Sequence, residues 1–133
     1  MKKYFAWVII GLLISVAAVG LAQTTHYANQ VTITWDAPTT FESGKPIPTE
    51  IVLSYDVFIR EKGGEQVLVE TVDNPPYTVT FPDPGYKYEI GVLAKYYVDE
   101  QPMYSAILWS IQEGWDVGFF EPASQVTNFK VVE

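Results

Sequence analysis

From residue 30 onward, apolar and polar positions alternate in short runs. Val31, Ile33 and Trp35 alternate with Thr32 and Thr34. A period of two places the sets on opposite faces of an extended chain, so this run predicts a strand with one buried face. Asp36-Ala37-Pro38 stops it, and a loop marked by Gly44, Pro46 and Pro48 follows to about Thr49. Leu53, Tyr55, Val57 and Ile59 then alternate with Ser54, Asp56, Phe58 and Arg60. Lys62-Gly63-Gly64 reads as a turn, residues 66–72 as a short strand, and Asp73-Asn74-Pro75-Pro76 as the next turn. Tyr77, Val79 and Phe81 alternate with Thr78 and Thr80. Pro82-Asp83-Pro84-Gly85 is the strongest turn signal, because proline fixes φ and glycine accepts positive φ. Tyr88, Ile90, Val92, Ala94 and Tyr96 alternate with Glu89, Gly91, Leu93, Lys95 and Tyr97. Asp99-Glu100-Gln101-Pro102 breaks that run, and residues 103–111 read as one more strand. No helical period appears after residue 22. Roughly six strands at this spacing predict an all-β, two-sheet Greek-key sandwich. A closed barrel is the weaker alternative.

The first residues follow other rules. Lys2 and Lys3 precede an uncharged apolar stretch over residues 4–22, the pattern of a secretory signal-peptide helix. Gly20-Leu21-Ala22 places small side chains where signal peptidase needs them, so cleavage after Ala22 is expected. The alternative is a retained membrane anchor, since about 18 apolar residues can span a bilayer. The expected organisation is a signal peptide over 1–22, a sandwich over 23–112, and an aromatic C-terminal extension over 113–133. Residues 125–132 alternate again and are a candidate extra strand. The expected destination is secreted, periplasmic or cell-surface, with membrane contact only if residues 4–22 are kept.

Composition narrows the function. The formal net charge is −8, and it becomes more negative if Lys2 and Lys3 are removed. Such a surface repels phosphate backbones, so nucleic acid is set aside as a partner. With no cysteine, the fold has no disulfide to rely on and no thiolate for zinc. The one histidine, His26, lies in what reads as the flexible start of the mature chain. No phosphate-binding glycine loop and no D-x-D-x-D-G calcium loop occurs. The carboxylates Asp99, Glu100, Glu113 and Asp116 read as solvated loop charges. The expectation is a non-enzyme with no cofactor and no metal.

Three stretches carry a resemblance. They are Val31-x-Ile33-x-Trp35-x-x-Pro38, Tyr55-x-Val57, and Pro84-Gly85-Tyr86-Lys87-Tyr88-x-Ile90-x-Val92-x-Ala94. Over residues 30–111 the chain resembles the fibronectin type III family of immunoglobulin-like sandwiches. Where that family has leucine two residues before the turn proline, this chain has Pro82, and Phe81 is the apolar residue. The resemblance implies a core tryptophan at Trp35, a core tyrosine at Tyr55, and a tyrosine corner at Tyr88 whose hydroxyl bonds to nearby backbone. It also implies a binding module, spacer or assembly unit.

Aromatic residues crowd the C-terminal third: Tyr96, Tyr97, Tyr104, Trp109, Trp115, Phe119, Phe120 and Phe129. The alternation puts Phe58, Leu93 and Tyr97 on the outer face of the sheet that holds the third and sixth strands. Either residues 115–120 fold back to cover that face, or it stays open. The candidate partner-binding residues are therefore Phe58, Leu93, Tyr97, Trp109, Trp115, Phe119 and Phe120. The leading reading is an exported interaction module for a protein or polysaccharide, working through sheet edges and an aromatic surface. The alternatives are a structural subunit of a filament or phage-like assembly, self-associating through its C-terminal strand, and a carbohydrate-binding module.

Overall fold

The computed structural model describes residues 23–132. The expected signal segment lies outside the described residues. The described chain is all-β. Its strands are β1 (Thr24–Tyr27), β2 (Gln30–Ile33), β3 (Ser54–Glu61), β4 (Val67–Val72), β5 (Tyr77–Thr80), β6 (Tyr86–Val98), β7 (Gln101–Tyr104), β8 (Leu108–Trp109) and β9 (Trp115–Phe119). One turn of 3-10 helix, Ser110–Glu113, separates β8 from β9.

The larger sheet has the order β1-β9-β6-β3-β4, with β7 and β8 also bonded to β6. It is mixed, because β1 runs parallel to β9 while the other neighbours are antiparallel. The smaller sheet is the antiparallel pair β2–β5. The two sheets enclose one core, in the manner of a β-sandwich. The long strand β6 organises the larger sheet. Its whole inner half pairs with β3, while its other side pairs in succession with β9, β8 and β7. Those three short strands trace one interrupted line, broken at residues 105–107 and again by the 3-10 turn.

The alternation read from the sequence sets the core. Val57 and Ile59 of β3, Tyr88 and Ile90 of β6 and Val117 of β9 face Ile33 of β2, Val79 of β5 and Phe81. Fully burying each aliphatic side chain contributes about 1.5–3 kcal/mol. Phe81 stacks on Tyr88, with ring centroids 4.7 Å apart. The Tyr88 hydroxyl donates to the Asp83 carbonyl at 2.7 Å, across the Pro82–Gly85 turn. Tyr55 is buried in the larger sheet. Trp35 lies just beyond β2 and is only half-buried. Its ring meets Tyr55 edge-on at 5.2 Å, and its Nε1 is buried without a hydrogen-bond partner.

Three segments differ from the sequence reading. Residues 115–119 neither cover the sheet nor form an extension; they are β9, inserted between β1 and β6. The sandwich therefore continues past residue 112, because Val117 pairs with Tyr88 and is wholly buried. Residues 23–27, read as a loose start, supply β1, whose backbone completes the far side of β9. Residues 125–132 form no strand: their side chains are exposed, and Asn128 has φ 55°.

Candidate functional site

The outer face of the larger sheet is built by Asp56, Phe58 and Arg60 of β3 and by Glu89, Gly91, Leu93, Lys95 and Tyr97 of β6. Charged pairs cross it. Lys95 Nζ lies 2.9 Å from Asp56 Oδ1, and the Thr71 hydroxyl donates to the same oxygen at 2.7 Å. Both charged residues are buried, and the Asp56 hydrogen bond is the main reason that the Lys95 amine titrates above its ordinary value. Removing either partner strands the other charge away from water, which makes the pair a rigid structural element. Arg60 Nε lies 2.7 Å from Glu89 Oε1. Lys62 Nζ lies 3.9 Å from Asp116 Oδ2.

Trp109 is held within this face. Its position on β8 is opposite Gly91. A Cβ on Gly91 would sit 2.8 Å from the indole and 2.7 Å from Ile107 Cγ2, so the absent side chain is what lets the indole lie flat on β6. The Arg60 guanidinium caps the ring at 3.7 Å from its centroid, a cation–π contact. Trp109 is thus closed off between backbone and arginine. Leu93 is buried and Phe58 half-buried.

The remaining candidates lie elsewhere. Trp115 and Phe119 are half-buried and pack against the core with Val117. Trp115 also meets His26 edge-on at 5.7 Å. Phe120 is half-exposed at the lower end of the sheet, beside Tyr27 and over Gly118. The seven candidates therefore do not form one surface. Of the outer-face residues among them, Tyr97 stays open.

What surrounds Tyr97 defines the site. The β6–β7 hairpin closes through Asp99 and Glu100, with φ values of 50° and 68°. Two successive positive φ angles in a two-residue loop are the signature of a type I′ turn, which matches the twist of its strands. Pairing of Lys95 with Tyr104 and of Tyr97 with Pro102 puts both tyrosines on one face of the hairpin. Tyr97 and Tyr104 are each 57% exposed. Val98 and Met103, at 48% and 49%, stand on the hairpin's opposite face, with Tyr96. The base is anchored by Phe41 packing on Tyr96 at 5.9 Å and by the Lys95–Asp56 pair. The sequence reading missed Met103 and Val98 as surface residues. The break at Asp99-Glu100 between two aromatic runs was the signal that pointed to them.

His26 is exposed on β1, and no three His, Asp or Glu side chains converge among the described residues. No described helix is long and apolar enough to cross a membrane. No protein-family model, curated protein or solved structure matches the chain.

Proposed function

We propose that this chain is an exported, non-catalytic interaction module of the fibronectin type III kind, which grips a protein partner with the tip of its β6–β7 hairpin. The observation that carries the reading is the tip itself. Tyr97 and Tyr104 stand about half-exposed on one face of the hairpin and Val98 and Met103 on the other, flanking a turn whose two central residues are non-glycine with positive φ. Backbone strain of this kind persists where surrounding structure enforces it, and it concentrates at working sites. Tyrosine and methionine are enriched in interface cores. Asp99 and Glu100 rim the patch, so the complementary surface is an apolar recess with a basic edge.

Support for the fold family comes from the strand order β9-β6-β3-β4 facing β2-β5, and from the Tyr88 hydroxyl bonded upstream to Asp83. Support for export comes from the basic start, the apolar run and the small residues before Gln23.

The test is retention of host proteins on the immobilised chain, compared with Tyr97→Ser/Tyr104→Ser. Two interface-centre aromatics at about 2 kcal/mol or more each predict at least a hundredfold weaker binding. The variant's melting temperature should stay unchanged, because both rings are largely in water. Equal retention by the variant rules out the hairpin tip as the site. Specific binding to an array of glycans, lost in the same variant, replaces the protein partner with a polysaccharide.

A further inference from the structure

We infer that the segment after β9 is a donor strand for the β4 edge of a second copy of this chain. This surface is separate from the hairpin tip, and the inference stands or falls independently of it. The donor comes first. Val126, Phe129, Val131 and Val132 are 77–89% exposed, the most exposed large apolar side chains of the described chain apart from Val52. They belong to the run Gln125-Val126-Thr127-Asn128-Phe129-Lys130-Val131-Val132, rich in β-branched and aromatic residues. Such a run favours a pleated, half-buried setting and finds none on its own domain.

The acceptor is the other end of the larger sheet. β4 is its terminal strand, and among the described residues nothing pairs with its outer edge. Edge strands are ordinarily guarded by shortness, lysine or proline. β4 has six residues, no lysine and no proline, and it exposes Val67 and Leu68 to 59% and 52%. A bulge at Val57/Phe58 in its pairing with β3 is its one protective irregularity. The free edges of β1, β2 and β5 offer four residues each. Charge agrees with the choice. The donor's one charged residue between 125 and 132 is Lys130, while Glu65, Glu70 and Asp73 lie in or beside β4.

Reach decides between the chain's own edge and a neighbour's. From β9 to a new strand beyond β4 the order β9-β6-β3-β4 requires four strand spacings, about 19 Å. Phe119 is fixed by the hydrogen bond from Gly85 N, and Phe120 rests on Gly118. The five steps from Phe120 to Gln125 span at most about 18 Å when fully extended. Closing on its own β4 would demand a fully taut spacer, and the segment instead stands exposed, away from that edge. Main-chain hydrogen bonds to a second copy satisfy both halves, as in other strand-addition complexes. Donor and acceptor are different surfaces of the chain, so the contact is heterologous and builds a ring or an open array according to whether the rotation closes.

The cysteine-free background allows a direct experiment on the full chain. Thr127→Cys in one tagged population is mixed with Leu68→Cys in a second population bearing a different tag, and a short bis-maleimide is added. Cross-linking between the two tags is expected at several times the yield obtained with Val52→Cys, an exposed position off this edge. Adding Phe129→Asp/Val131→Asp to the donor should abolish the excess. In sedimentation, the mean mass of the unaltered chain should rise with concentration more than that of Phe129→Asp/Val131→Asp. Equal yields at Leu68→Cys and Val52→Cys overturn the inference, as does identical sedimentation of the two chains. Efficient cross-linking of Thr127→Cys to Thr25→Cys within one copy overturns it too, by placing the segment on its own β1.

Discussion

Gly91→Ala tests the packing of the outer face with one methyl group. The substitution is free of backbone strain, because Gly91 is not among the positive-φ glycines. Its cost comes from contact alone. The new Cβ would lie 2.7 Å from Ile107 Cγ2 and 2.8 Å from Trp109 Cε3 and Cζ3. Ordinary carbon–carbon contact begins near 3.5 Å, so the indole must lift by roughly 0.7 Å or β8 must separate from β6. The lift pushes the ring toward the Arg60 guanidinium, which Glu89 holds from behind at 2.7 Å. Overpacking of this kind costs about 1–3 kcal/mol, and the displaced cation–π contact adds roughly 0.5–1 kcal/mol. The expected loss is about 2–3 kcal/mol, read as a lower urea midpoint at unchanged slope. The mechanism makes a second demand. Trp109→Ala removes the rigid indole and leaves only the Ile107 methyl in the way, so the added methyl should cost less in that background. A coupling of about 1 kcal/mol or more between the two sites is expected from the double-mutant cycle. A Gly91→Ala midpoint within error of the unaltered chain, or strict additivity with Trp109→Ala, would refute the account of Trp109 as a ring lying flat on bare backbone.

Tyr88→Phe removes the hydroxyl that donates to Asp83 while keeping the stack on Phe81. It should lower stability by about 1 kcal/mol in denaturant titration, and a neutral result would show that the turn does not depend on that bond. Glu100→Gly should raise stability by about 1 kcal/mol in a thermal melt, since it relieves a left-handed φ in a residue with a Cβ; a loss would sink the strain argument. Alkaline pH should destabilise the fold. Burial raises the Tyr55 and Tyr88 phenols, and the bond to Asp56 raises Lys95. All three hold their protons more tightly folded than unfolded. Stability should therefore be level up to the unfolded values near pH 10 and fall as pH rises through the higher folded ones. A urea midpoint that climbs above pH 10 would reverse the sign of the reasoning.

The strands that were legible in the sequence are those whose core-facing side is apolar at every second position. Tyr55, Val57 and Ile59, and Tyr88, Ile90 and Val92, state their register by alternation alone. β9 was missed although Trp115, Val117 and Phe119 alternate with Asp116 and Gly118, because aspartate between glycines carries the composition of a loop. Asp116, read as a solvated loop charge, and Gly118 are buried beside Val117, and Asp116 Oδ1 has no hydrogen-bond partner. β1 has no apolar alternation at all; Thr24–Tyr27 is a strand because β9 offers it a backbone edge. The outer face was misjudged for a different reason. Counting Phe58, Leu93 and Tyr97 suggested an apolar patch, but the face is dominated by pairs whose members lie far apart in sequence. Asp56 with Lys95, and Arg60 with Glu89, become neighbours only once β3 and β6 are in register. The exposed tip was half visible, since the turn could be read but the side of the hairpin on which Tyr104 falls could not.

The parallel seam of β1 with β9 gives the domain a mechanical character. Thr24 lies against Trp115 and Tyr27 against Gly118, with Thr24 N bonded to the Gly114 carbonyl and Ala28 N to the Gly118 carbonyl at the two ends of the seam. The described chain enters at the Thr24 end and leaves past Phe119, at the opposite end. Tension between its two ends therefore drags β1 and β9 along each other in opposite directions. The hydrogen bonds of the seam are loaded together in shear, whereas a hairpin pulled from its open end gives way one bond at a time. A molecule strung between two attachments would hold its full length until the seam slips as a unit, and then yield abruptly.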